Sequence, residues 1–155
     1  MKTVESLVLD FKRLSPEDQA VAFAEYTLKA LDSSAAYADS VEEAGLALGI
    51  LTYAAIVADN RISDEELLLI YAGLKATLGD RVDLEACKKI ASETLRNKDD
   101  IKEAAKELAE NYLVLWHDDD KEDIVRLCIA LCAIDGEISG KEINWLKDLV
   151  YASEA

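Results

Sequence analysis

The strongest constraint on this chain is an internal repeat. The segments Ile50–Ile70 (ILTYAAIVADNRISDEELLLI) and Ile124–Leu146 (IVRLCIALCAIDGEISGKEINWL) follow one grammar. Aligning Asp59 with Asp135 sets Leu51 against Leu127, Ala55 against Leu131, Ile62 against Ile138, Ser63 against Ser139 and Glu66 against Glu142. The offset is 76 residues (135 − 59), with no gap inside the match. Each copy reads as an almost wholly apolar helix, a tight acidic turn, and a second helix announced by serine. A helix that is apolar nearly all round belongs inside a bundle, with amphipathic helices packed about it. The repeat therefore predicts two helix–turn–helix units, about residues 40–78 and 120–151, in approximate two-fold relation at the centre of the fold.

The remainder of the chain supplies the surrounding helices. Thr3 is placed to cap a first short helix carrying Leu7, Phe11 and Leu14 at helical spacing. Ser15-Pro16-Glu17-Asp18 is a strong helix start: a cap, a proline at the first helical position, and acids facing the positive end of the dipole. That helix runs towards Asp32 with Val21, Phe23, Tyr26, Leu28 and Leu31, and Ser33–Asp39 reads either as a joint or as its frayed continuation. Ser40-Val41-Glu42-Glu43 is a capping box opening the first central helix, which should end near Ala58. Helices over Ser63–Leu78 and Asp83–Leu95 follow, the first stopped by Gly79. Asp99 or Asp100 should cap another through Trp116, with Ile101, Ala105, Leu108, Tyr112 and Leu115 on its inner side. Asp120, after the polar break at His117, should cap the second central helix. No alternating run marks a strand, and a single proline interrupts nothing. The expected architecture is a single-domain all-α bundle, residues 1–155, of seven to eight helices.

Charge narrows the function classes. A formal charge of −15 disfavours nucleic acid, whose phosphates need a cationic surface, and equally a bare anionic membrane. It suits cations or a protein partner with a basic surface. The three cysteines show no CxxC spacing; Cys128 and Cys132 share one face of the apolar helix and read as core residues, which fits a reducing compartment. The amphipathic, acidic N-terminal stretch is unlike a secretory signal, and no apolar run reaches bilayer length, so a cytoplasmic protein without a transmembrane segment is expected. Trp116, Trp145 and the six tyrosines read as packing residues, and the single histidine, His117, beside Asp118, Asp119 and Asp120, reads as helix-end chemistry rather than a ligand cluster. No nucleophile–base set is supported by spacing, so no enzymatic activity is expected.

The acidic turns carry what chemistry the sequence offers. Asp135 to Glu142 (DGEISGKE) matches the second half of an EF-hand loop, with glycine at the sharp turn and glutamate in final position. The first half fails: the leading ligand positions fall on Leu131 and Ala133, and on Ala55 and Val57 in the other copy. Ser63 and Ser139 are expected as N-caps, with Glu66 and Glu142 reaching back to the cap's own N–H. Gly136 and Asn60 suit the positive φ after a helix end, while Ile62 and Ile138 should pin the turn to the core. Asp59 and Asp135, by contrast, face the negative end of a helix dipole at a cost of roughly 0.3–1 kcal/mol. Two compensations are open. An Asx-turn to the N–H groups of residues 61 and 137 is one. The other is a hard divalent cation such as calcium, held by Asp59 with Glu66 and by Asp135 with Glu142, and needing neighbours such as Asp64, Glu65 or Glu137.

The doubled pattern AD-N-R-IS-D-EE and ID-G-E-IS-G-KE resembles the tellurite-resistance TerB family, whose hallmark is a paired A-D-G-x-I-S-x-x-E on an all-α fold. It is similar as well to the N-terminal module of a membrane-anchored DnaJ-like co-chaperone. The resemblance covers roughly residues 20 to 150, with Asn60 in place of glycine and Ile134 in place of alanine. It implies a cytoplasmic, bacterial-type stress-response module that senses or binds metal and docks protein partners at the inner membrane. It implies no detoxification chemistry. Three function classes therefore stand: a metal-binding stress module, a pure protein-interaction adaptor without metal, and a metal-dependent hydrolase.

Overall fold

The computed structural model describes residues 1–58, 98–133 and 137–154. These form six α-helices and one 3-10 turn, with no strand among the described residues: α1 (Val4–Lys12), α2 (Pro16–Tyr37), α3 (Val41–Val57), α4 (Lys98–Asn111), the 3-10 turn Leu113–Leu115, α5 (Asp118–Cys132) and α6 (Gly140–Ala152). The two helices expected between Ser63 and Leu95 lie outside the described residues, as do Cys87 and the second half of the first repeat unit.

Helix α5 is the axle. From Ile124 to Cys132 every residue except Arg126 is buried, with Ile124, Leu127, Cys128 and Leu131 fully enclosed. It packs most extensively on α2, then on α3, α1 and α6. The face α3 turns inward consists of Ala44, Ala47, Leu48, Leu51, Ala54, Ala55 and Ala58. The small residues on it allow close approach, and Cys132 Sγ lies 3.6 Å from the Ala55 carbonyl, donating to it. Each fully buried Leu or Ile contributes about 1.5–3 kcal/mol of transfer free energy, so this pair of helices anchors the core.

The flanking helices begin as their capping residues dictate. Thr3 accepts from the Ser6 N–H (3.2 Å) and Ser15 from that of Asp18 (3.2 Å), with Pro16 opening α2. Helix α1 inserts Val4, Leu7, Val8 and Phe11 into the core. Helix α2 presents a face of small residues to the core. Val21 is exposed, and the inner face is built of Ala22, Thr27, Ala30, Leu31 and Ser34, mostly small residues spaced by three, four and five. Phe23, Tyr26 and Leu28 pack against the core from the margins of this face, while small side chains at its centre admit the neighbouring helix. The Thr27 hydroxyl is satisfied locally, donating to the Phe23 carbonyl (2.8 Å). The helix continues through Ser33 to Tyr37, which decides for continuation over a joint.

At the start of α3, Ser40 accepts from the Glu43 N–H (3.1 Å), as a capping box requires. The reciprocal bond is shifted by one residue: Glu43 Oε2 accepts from Asp39 N (3.2 Å) instead of from Ser40. Two further expectations are corrected. Asp99 and Asp100 lie within α4, which already includes Lys98, and α4 ends at Asn111 rather than Trp116. The chain then tightens into the 3-10 turn, burying Leu113 and leaving Leu115 exposed, while Ala105 and Ala109 form the inner stripe of α4.

Asp120 does not cap α5. His117 occupies the N-cap position, and Asp120 sits in the first turn. Its carboxylate accepts from the Tyr37 hydroxyl (2.8 Å) and the Ser33 hydroxyl (3.4 Å), and Tyr37 Oη in turn accepts from the His117 N–H (3.1 Å). Tyr37 stacks on Trp116 with ring centroids 5.1 Å apart, and Tyr112 meets the same indole edge-on at 5.5 Å while donating to the Ser34 carbonyl (2.6 Å). The ends of α2 and α4 and the start of α5 are thus joined at one corner. Trp116 Nε1 is the one buried side-chain nitrogen or oxygen among the described residues that meets no hydrogen-bond partner. Next to Asp120 on α5, the buried Lys121 ammonium donates to the carbonyl of Ser153, the residue capping the C-terminus of α6 (2.8 Å), a favourable place for a cation.

Cys128 and Cys132 are buried thiols outside any disulfide, as expected of core residues. Burial pushes the Cys128 thiol from its ordinary 9.0 up to about 12. Because the folded pKa lies above the unfolded value, this stabilising contribution is complete below about pH 9 and is lost as pH rises through the folded value near 12. Denaturant titrations at pH 8 and pH 10 should show stability falling more steeply in the wild type than in Cys128→Ala. Equal pH slopes in the two proteins overturn the assignment.

Candidate functional site

The second acidic turn is described from Glu137 onward. Ile138 is buried, fixing the chain to the core just before α6. Ser139 then caps that helix: its hydroxyl accepts from the Glu142 N–H (3.1 Å), and Glu142 Oε1 accepts from the Ser139 N–H (2.8 Å). The reciprocal box is complete. Glu142 is only 2% exposed, so its carboxylate is held inward against the turn. Of the four proposed cation ligands, Glu142 is the one described. Asp59, Glu66 and Asp135 lie outside the described residues, with Asn60, Ile62, Ser63 and Gly136. Among the described residues no group of three or more His, Cys, Asp or Glu side chains is arranged to hold a metal ion.

A second acidic region stands between α2 and the N-terminal half of α5. A cleft of about 420 Å³ is lined by Glu25, Tyr26, Lys29, Asp119, Glu122, Asp123 and Arg126. Its two cations are both engaged along their own helices. Lys29 Nζ pairs with Glu25 Oε1 at 3.0 Å, and the Arg126 guanidinium donates to Glu122 Oε1 at 2.8 Å while lying 5.9 Å above the Tyr26 ring. Asp119 and Asp123, four residues apart and so on one helix face, have no ion-pair partner among the described residues. Burial holds the Asp123 carboxyl above its usual range. Lys29 and Arg126 oppose the shift, and the neighbouring Asp120 and Glu122 charges add to it. For Glu122 burial acts the same way but is outweighed by the Arg126 hydrogen bond and the Lys2 N–H, leaving its carboxyl below the ordinary value.

The sequence carried a signal for this cleft that motif reading passed over. Glu25/Lys29, Asp119/Asp123 and Glu122/Arg126 are each spaced by four, so the face is legible once α2 and α5 are known to be neighbours. His117 and Asp118 are exposed, while Asp120 is turned to Tyr37, so the His117–Asp120 stretch does not converge on a common point. Comparison of the chain with family models, with characterised proteins and with solved structures yields no match.

Two substitutions probe these geometries. Ser139→Ala should cost about 0.5–2 kcal/mol in chemical denaturation, since it orphans the Glu142 N–H, with little change in fold by circular dichroism. A cost near zero discards the cap as a stabilising element. Asp123→Asn should raise the melting temperature at pH 7, because a carboxyl whose folded pKa is raised stabilises only while protonated. That gain should vanish below the ordinary carboxylate range, where both states carry the proton. An unchanged or lowered melting temperature at pH 7 contradicts the reading.

Proposed function

We propose that this chain is a non-catalytic, TerB-like interaction module of the bacterial stress-response type. In this reading it works in the cytoplasm and docks a protein partner through a basic surface, at the inner membrane face where the family resemblance points. The docking surface is the acidic face of α2 and α5. The observation that carries this is Asp123, a partly buried carboxylate without an ion pair in a cleft whose two cations are already engaged. An incoming lysine or arginine relieves that desolvated charge, and the chain's excess of 32 acids over 17 basic residues steers such a partner towards it. Fluorescence anisotropy with a labelled oligo-arginine peptide tests the idea. Affinity should fall as salt rises, and Asp119→Asn/Asp123→Asn should weaken binding at low salt. The equally charge-altering Glu103→Gln/Glu107→Gln, on exposed positions of α4, should leave most of it. Equal losses in both double variants, or salt-independent binding, refute the cleft as the docking point.

A second reading is favoured by the doubled acidic turn: a divalent cation such as calcium held weakly at Asp59 with Glu66 and at Asp135 with Glu142. The inward-held Glu142 carboxylate weighs against it, since one of its oxygens already serves the Ser139 N–H. If a cation binds the folded state alone, a hundredfold excess over its dissociation constant adds about 2.7 kcal/mol. Thermal melts with calcium, magnesium, manganese and zinc should then shift in the wild type and not in Asp59→Asn/Asp135→Asn. Glu142→Gln, which can keep the capping box, should lose part of the shift. Identical melts with and without every ion leave the adaptor reading in place.

A further inference from the structure

We draw no further inference here: the strongest candidate, the groove of about 1210 Å³ between α4 and α6 lined by Ala58, Lys102, Lys106, Trp145, Leu149 and Tyr151 among others, carries nothing because nothing in the structure shows what covers it, residues 59–97 between its wall at Ala58 and the start of α4 lying outside the described residues.

Discussion

The burial of α5 sets the terms for everything around it. A helix enclosed from Ile124 to Cys132 on all sides but Arg126 offers its neighbours little polar purchase beyond the Cys132 thiol on the Ala55 carbonyl. Association with it is therefore a matter of shape, and each surrounding helix meets it with the residues that shape allows. On α3 and α2 those are largely alanines, with Thr27 and Ser34 where a hydroxyl can be tolerated. On α1 they are the larger Leu7, Val8 and Phe11, closing the outer side. Interiors at crystal-like density leave little room for exchange between these roles, since a larger side chain on α2 displaces a backbone rather than a solvent molecule.

An apolar axle fixes neither its own start nor its register along the bundle. Those come from polar groups on its N-terminal turns. At the N-terminal end, Asp120 draws Tyr37 and Ser33 from α2 onto the first turn of α5, while Trp116 is held between Tyr37 and Tyr112. The phenol of Tyr37 sits in the middle of this arrangement. The His117 N–H donated to its oxygen favours ionisation, but partial burial and the Asp120 carboxylate outweigh that and hold its pKa above the ordinary value. It therefore stays a donor to Asp120. On the same turn, Lys121 reaches the C-terminal end of α6 through Ser153. Both contacts bridge elements distant in sequence, and sliding α5 by one turn breaks both.

How far this was legible in the sequence follows from which forces act locally. The caps at Thr3, Ser15, Ser40 and Ser139 depend on three or four consecutive residues, and each side chain accepts the N–H three residues on, although at Ser40 the reciprocal bond goes to Asp39. The all-helical class and the interior place of the Ile124–Cys132 helix followed from a periodicity that only one environment tolerates. What failed depended on neighbours. Leu115 was assigned inward for its hydrophobicity, yet it is exposed and the inner stripe of α4 is set by Ala105 and Ala109. Asp120 has the identity of an N-cap, and its actual partners lie more than eighty residues away. In the candidate site, the Ser139–Glu142 box was local and legible. The α2–α5 cleft required knowing which two helices touch.

The same distinction bears on where binding can reside. With the centre of the bundle given over to aliphatic packing, the charged side chains among the described residues lie outside the core apart from Lys121 and Glu142. Surface cations do not spread evenly among the acids. Lys29 answers Glu25 and Arg126 answers Glu122, each within its own helix, and Lys147 pairs with Glu5 across α6 and α1. Pairs along one helix form wherever the spacing of four allows, whatever lies opposite. An exposed pair of this kind is worth little and is weakened by salt, so it competes poorly with a partner that offers several cations at once. Asp119 and Asp123 form no ion pair among the described residues, and burial holds the Asp123 carboxyl above its usual range despite the nearby Lys29 and Arg126 charges. Among the described residues, the packing of α2 against α5 brings these acids together on one face. That places the more persuasive candidate surface of this chain on the flank of its most buried helix.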